Sequence, residues 1–309
     1  MPELPLVEKT RKAAVRRLKG RRMVAVRAVA DSIMMPGVTP EQLVRALRGS
    51  CITGAGRRGK YLWLELDRRP WLLAHFGMTG EFVYRRAGEP VPRHWRLDVE
   101  LDDGWCLAVV DPRRFGRILL VNDPLKESPV SALGFDPFLD RVPVAWFVEA
   151  LRARKAPVKA VLLDQSFAAG VGNWIADEIF YQARVAPQRR ANRLTEAEAV
   201  RIHAAMLEVV RVAVKANNDE RKFPKTWLFH YRWGKVKGAR TAKGEAIKFG
   251  VVAGRTTAWV SSVGDRELPP GVCRAGAAEA AARKRFRFGG FCALRSGADG
   301  APKRHSNTP

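Results

Sequence analysis

The chain opens Met1-Pro2-Glu3, which places an amine and a carboxylate where they can do chemistry. Proline at position 2 is small enough for methionine aminopeptidase to remove Met1, leaving a free secondary amine beside the Glu3 carboxylate. An α-amino group titrates near about pH 8, against about 10 for lysine, so part of it is unprotonated at neutral pH. A secondary amine that attacks the anomeric carbon of a sugar gives an iminium directly, and an iminium is an electron sink for elimination. A Met-Pro start is also an ordinary processing signal, so the pair needs agreement from distant segments.

The elements that must position this pair are legible as patterns. Residues 3–19 predict a helix, with Val7, Ala13, Ala14 and Leu18 on its apolar face and Lys9, Arg11, Lys12, Arg16 and Arg17 on its polar one. Starting at Glu3, it puts that carboxylate in the first turn, where negative charge suits the helix dipole. From 21 to 120 the pattern changes to short strands, among them 61–66, 96–101 and 105–110, punctuated by turns such as Asp102-Asp103-Gly104. Successive strands with a flanking helix predict a β-sandwich. Residues 121–143, with Pro124, Pro129, Pro137 and Pro143, read as a linker. Helical periodicity follows at 144–155, 157–164, 173–184 and 195–217. The last begins with a capping box, Thr195 with Glu198, before Ile202, Met206, Val209, Val210 and Ala213. Residues 227–261 return to a hairpin pattern, with Trp227 to His230 at one end, then Ile247 to Phe249 and Thr256 to Val260. From 263 the chain is rich in Ala, Gly, Arg and Lys and predicts a disordered basic tail.

Composition narrows the partner. Of 309 residues, 55 are Lys or Arg and 31 are acidic, a net charge of +24 with a pI of about 10.8. That excess predicts a polyanion, most simply nucleic acid bound through phosphate contacts and counterion release. A ribosomal or merely soluble basic protein is the plainer alternative. A hydrophobic content of 47% excludes a wholly disordered chain. No apolar run approaches the roughly 20 residues that span a bilayer. Lys9, Arg11 and Lys12 interrupt the first apolar stretch, so no secretory signal is expected, and nothing before Pro2 could serve as a transit peptide. The four cysteines, Cys51, Cys106, Cys273 and Cys292, form no C-x-x-C pair and have no histidine at zinc-finger spacing. Reduced intracellular thiols and no structural zinc are therefore expected.

Five further blocks occur in order. They are Gly59-Lys60-Tyr61-Leu62, His75-Phe76-Gly77-Met78-Thr79-Gly80, Asp111-Pro112-Arg113-Arg114-Phe115-Gly116, Leu163-Asp164-Gln165 followed by Gly170 to Glu178, and Gly254-Arg255-Thr256-Thr257. Together with Pro2-Glu3-Leu4-Pro5, they resemble the formamidopyrimidine-DNA glycosylase (Fpg/MutM) family over nearly 260 residues. The resemblance implies an α+β fold. An N-terminal catalytic β-sandwich with flanking helices occupies 1–130 and a helix–two-turns–helix DNA-binding domain 131–226, with a zincless β-hairpin finger at 227–262 and the tail at 263–309. It implies removal of an oxidised purine from double-stranded DNA by a monomer, then backbone cleavage at the abasic site by β,δ-elimination, with no cofactor. The catalytic residues it implies are Pro2, Glu3 and Lys60, and the DNA-binding residues His75, Met78, Arg113, Arg114, Phe115, Asn173 and Arg255.

Each assignment has a plainer alternative: a surface lysine for Lys60, core packing for Met78 and Phe115, and a phosphate-binding role for Arg113. His75 could be a satisfied buried histidine and Asn173 a helix N-cap. The chain also departs from the family. Leu6 replaces a glutamate, Ser166 a lysine, and Asn217 to Lys225 is shorter than the bacterial loop that caps 8-oxoguanine. These departures predict a preference for ring-opened purines and hydantoins. The finger phrases resemble the plant branch, where hairpin packing replaces the metal, which makes Trp227, Phe229, Phe249 and Trp259 candidate core residues. A nuclear location is expected, with Arg283-Lys284-Arg285-Phe286-Arg287 and Pro302-Lys303-Arg304 as a nuclear signal, added DNA affinity or simply a solvated tail. The competing readings are a Nei-like glycosylase for oxidised pyrimidines and a non-catalytic damaged-DNA-binding protein.

Overall fold

The structure, a computed structural model, describes residues 2–260. The basic tail expected from 263, with Cys273 and Cys292, lies outside the described residues.

The chain runs α1 (Leu4–Leu18), β1 (Met23–Ala28), α2 (Pro40–Leu47), β2 (Ile52–Arg58), β3 (Tyr61–Leu66), β4 (Trp71–His75), β5 (Glu81–Arg86), β6 (Trp95–Leu101), β7 (Trp105–Val110) and β8 (Arg117–Val121). After a connection it continues α3 (Val144–Arg152), α4 (Val158–Leu163), α5 (Asn173–Ala183) and α6 (Glu196–Lys215), then β9 (Ile247–Val252) and β10 (Arg255–Val260). The expected helices and strands are present, and α6 carries its Thr195–Glu198 capping box.

The first eight strands form two antiparallel four-stranded sheets, ordered β1-β6-β7-β5 and β2-β3-β4-β8. Leu62, Leu64 and Leu72 from one sheet share a core with Val99, Leu107 and Val109 from the other, as alternating strand residues must when two faces are apposed. Helix α1 contributes Val7, Ala14 and Leu18 to this core. Its first residue, Leu4, belongs instead to the helical core built from α3 to α6. One amphipathic helix thus spans both cores and holds the chain's amino end at their junction.

Two expectations need correction. Helix α2 interrupts the stretch read as strands. It is eight residues long, and its capping box, Thr39 with Gln42, was the available signal. Trp227 to His230 is not a hairpin end: Leu228–His230 forms a 3-10 turn. Trp227 and Phe229 are buried in the helical core, and the Phe229 backbone N–H donates to the buried Glu178 carboxylate at 2.8 Å. Those anchors satisfy the turn without a strand partner. The hairpin proper is β9–β10, which buries Ile247, Ala258 and Val260 with Phe249 against Tyr181 and Leu228, while Trp259 is half-buried.

Candidate active site and nucleic-acid interface

Pro2 and Glu3 are both buried. Glu3 is the N-cap residue of α1, yet its side chain does not cap that helix. Its carboxylate reaches the amino end of α5 instead, accepting from the backbone N–H of Trp174 at 3.1 Å and Ile175 at 3.3 Å. The expected placement on the dipole of its own helix is therefore corrected: Glu3 serves the dipole of α5. Two glycines admit it. A Cβ on Gly172 would overlap the Glu3 carboxylate, and one on Gly170, at φ +98°, would lie 2.7 Å from Leu4 Cδ1. Burial pushes the Glu3 carboxyl above its ordinary range, against the opposing pull of Lys60 and the two backbone donors.

Lys60 lies in the two-residue turn between the paired residues Arg58 and Tyr61. Gly59 precedes it at φ +57°, a conformation that favours glycine. Lys60 Nζ donates to the carbonyl of Val171 at 2.9 Å. Gln165 braces the same carbonyl at 3.0 Å and accepts from Gly170 N–H at 3.0 Å. Burial lowers the Lys60 pKa, with Glu3 opposing and Arg255 adding to the shift. Glu3 and Lys60, far apart in sequence, thus meet around 170–175, with Pro2 next to Glu3 in the chain, the carboxyl raised and the cation lowered by burial.

A buried ion cluster fixes the Lys60 turn. Asp136 accepts from Gly59 N–H at 2.8 Å and from Arg57 at 2.6 Å, and Arg57 donates on to the Gly59 carbonyl at 3.0 Å and to Glu8 of α1 at 3.1 Å. Nothing in the sequence singles out Arg57 or Asp136, because each alone reads as a solvated charge.

The 75–80 and 111–116 segments lie back to back. A Cβ on Gly77, at φ +57°, would come within 2.6 Å of Gly116 N, and one on Gly116 within 2.7 Å of the His75 carbonyl. Asp111, fully buried, ties them by accepting from Thr79 Oγ1 at 2.6 Å, Arg113 N–H at 3.1 Å and Gly116 N–H at 2.7 Å. Phe115 is 49% exposed, so core packing does not explain it. The Arg113 guanidinium sits 4.8 Å from its ring centroid, and Met78 is half-buried. Arg114, at φ +58°, folds back and donates to Asp31 at 2.8 and 3.0 Å, an anchor for the loop that sequence reasoning missed.

His75 Nδ1 accepts from Gly77 N–H at 3.2 Å, and burial pushes its pKa down to about 4. A neutral ring accepting at Nδ1 carries its proton on Nε2, which leaves a donor. Asn173 is the first residue of α5 and not its cap, which is Gly172; its Nδ2 donates to the Thr256 carbonyl at 2.8 Å. Arg255 is exposed and follows the Ala253-Gly254 turn, both residues at positive φ.

Comparison with known proteins agrees with this geometry. Residues 1–118 match the formamidopyrimidine-DNA glycosylase N-terminal domain, and 133–224 the formamidopyrimidine-DNA glycosylase H2TH domain. The formamidopyrimidine-DNA glycosylase of Arabidopsis thaliana is 37% identical over 273 residues, 84% of this chain and 70% of that protein.

The chain belongs to the formamidopyrimidine-DNA glycosylase family.

The Acidiphilium cryptum member is also 37% identical, over 221 residues covering 71% of this chain and 78% of that one. Among solved members, a MutM bound to DNA containing carbocyclic 8-oxoguanine superposes with a TM-score of 0.78 at 27% identity, covering 86% of this chain and all of that one. The Lactococcus lactis glycosylase, non-covalently bound to DNA with an abasic site, superposes at 0.76 and 27% identity, covering 85% of this chain and all of its own. Hairpin β9–β10 lies beyond both matched family segments. Its strands hold no cysteine or histidine, so they do not fit the zinc site of a four-cysteine finger. Among the described residues no group of three or more His, Cys, Asp or Glu is placed to hold a metal. No helix there is long and apolar enough to cross a membrane.

Proposed function

We propose that this chain is a base-excision-repair glycosylase and abasic-site lyase that removes oxidised purines from double-stranded DNA through the Pro2 amine. The observation that carries the reading is the convergence of Glu3, the neighbour of buried Pro2, and Lys60 on the amino end of α5. With Met1 removed, the Pro2 nitrogen attacks C1′ of the damaged nucleotide and the base departs with the glycosidic electron pair. Glu3, whose raised pKa favours its protonated form, gives a proton to the ring oxygen, and the sugar opens to an iminium. Lys60, electrostatically coupled to Glu3 next to the amine, disfavours a second positive charge there and keeps the nitrogen nucleophilic. The iminium then drives loss of the 3′ phosphate and next the 5′ phosphate, leaving a gap with phosphates at both ends.

The damaged nucleotide must leave the stack first. Exposed Phe115 and half-buried Met78 fill the vacated space, and Arg113, stacked on Phe115, bonds the orphaned base. Arg255, Asn173 and the Nε2–H of His75 hold flanking phosphates. The parts divide as 1–130 for chemistry, 131–226 for the helix–two-turns–helix clamp and 227–262 for a finger that folds without metal. The basic runs in the tail support a nuclear location. Leu6 and the short Asn217–Lys225 connection favour ring-opened purines and hydantoins over 8-oxoguanine.

Duplexes carrying a formamidopyrimidine, a hydantoin or 8-oxoguanine test both levels. The reading expects strand scission with phosphate at both ends of the gap, slowest for 8-oxoguanine. Fastest cutting at 8-oxoguanine overturns the preference, and binding without scission overturns the enzyme.

A further inference from the structure

Behind α5 lies a buried ion triad that the chemistry above does not use. Lys159 of α4 and Asp177 of α5 have fully buried side chains, and Arg232, in the segment leading to β9, is 7% exposed. Asp177 accepts from Lys159 Nζ at 2.6 Å through one oxygen and from Arg232 at 2.6 Å through the other. Such a group is a poor device for stability alone, because well-packed apolar side chains in its place are commonly as stable or more so. What it does supply is register.

Among the described residues, the further side-chain hydrogen bonds of the triad go to β10. Asp177 accepts from the Ala258 N–H at 3.1 Å, and Lys159 Nζ donates to Thr257 Oγ1 at 2.7 Å. That hydroxyl donates in turn to the carbonyl of Arg255 at 2.9 Å. One turn earlier on α5, Asn173 holds the Thr256 carbonyl. Four consecutive residues of β10, Arg255 to Ala258, are therefore fixed from α4 and α5, and the amino end of α5 carries Glu3.

We propose that Asp177, with Lys159, is a positioning residue that sets Arg255 over the DNA backbone relative to Glu3, in the place where a metal would otherwise hold a finger. The proposal rests on the reading of Arg255 as a phosphate contact. Fixing β10 from the helix that binds Glu3 makes the distance between the phosphate grip and the reacting centre a property of one rigid element. A two-stranded hairpin on its own is marginal and could not hold that distance.

Binding of a duplex with a non-cleavable tetrahydrofuran abasic site, followed by fluorescence anisotropy across a salt series, tests this in full-length protein. Arg255→Ala is expected to weaken binding about tenfold and to flatten the slope of log affinity against log salt by about one unit. Asp177→Asn is expected to flatten it equally, and the double variant to bind no more weakly than Arg255→Ala alone. Thr257→Val, which cuts the Lys159 link to β10 alone, is expected to show the same effect in smaller measure, and it decides the matter if Asp177→Asn does not fold. A wild-type slope in a folded Asp177 or Thr257 variant, or losses that add in the double variant, overturns the proposal. An unchanged slope in Arg255→Ala refutes the phosphate contact itself, and the positioning role falls with it.

Discussion

The turn bearing Lys60 and the turn preceding Arg255 are both two-residue hairpin connections, flanked by the pairs Arg58–Tyr61 and Val252–Arg255. Their supports differ. The Lys60 hairpin belongs to a four-stranded sheet whose side chains fill the main β core, so its strands need no further restraint. Its ion cluster acts at the turn, where Asp136 and Arg57 bind the N–H and C=O of Gly59. The Arg255 hairpin has two strands and a small core, and its restraints run along β10. A hairpin inside a sheet must be locked only where its functional residue sits, whereas a free one must be locked along its length. Both locks are buried charges because backbone polar groups need fixed, directional partners.

The comparison can be broken most severely at Asp136. Asp136→Ala removes the bidentate partner of the fully buried Arg57, leaving it only Glu8 as an anionic partner, and unpins Gly59; it is expected to lower unfolding free energy by about 3–5 kcal/mol, measured by denaturant titration. A loss below about 1 kcal/mol would mean that the sheet alone holds the turn. Lys60→Met leaves that lock intact. It is expected to fold normally and to cut the excision rate about 100- to 1000-fold under single-turnover conditions, as loss of a preorganised charge does.

Glu178 sharpens the contrast through pH. It accepts from Gln182 and from the Phe229 backbone beside the triad, and burial raises its pKa from 4.5 to about 7. In the Lys60 lock, burial also pushes Glu8 upward, but Arg11 and Arg57 outweigh it and hold Glu8 below its ordinary value. A carboxyl raised on folding favours the folded state below the unfolded pKa, and that advantage fades as pH rises through the folded value. Relative to Glu178→Gln, the wild type should therefore lose up to about 3 kcal/mol of stability between about pH 5 and about pH 8. Hydrogen exchange should place the loosening in β9–β10 and leave β2–β3 unchanged. Equal pH dependence in the two hairpins would erase the distinction. The smallest effect is expected from Phe115→Ala. It should change stability by less than about 0.5 kcal/mol because the ring is exposed, while slowing excision from duplex more than from single-stranded DNA.

Much of this was legible in the sequence. Strand alternation and helical periodicity placed the elements because burial imposes those periods. The blocks around Pro2, Lys60, Phe115 and Asn173 pointed to the site because together, and in order, they resemble those of a known family; taken singly, each has a plainer reading. Less legible were the partners that hold them. Glu3 looks like a first-turn acid of α1 and binds α5, a contact across 171 positions that no local pattern encodes. Arg114 and Asp31, or Arg57 and Asp136, are ordinary charges until folding pairs them. Lys159 did leave a trace: a lone cation within Val158-Lys159-Ala160-Val161-Leu162-Leu163 has to find a buried anion. Helix α2 was announced by Thr39 and Gln42 but is too short for periodicity to show.

The proposed mechanism requires the Pro2 nitrogen, freed by removal of Met1 and adjacent to Glu3, to form the covalent intermediate. Borohydride reduction during reaction with an abasic-site duplex, followed by proteolysis and mass spectrometry, reads the attachment site directly. The account predicts a deoxyribose remnant on the amino-terminal nitrogen of a peptide that begins at Pro2. An adduct on the Lys60 side chain, or no adduct from protein that still binds the duplex, would contradict it.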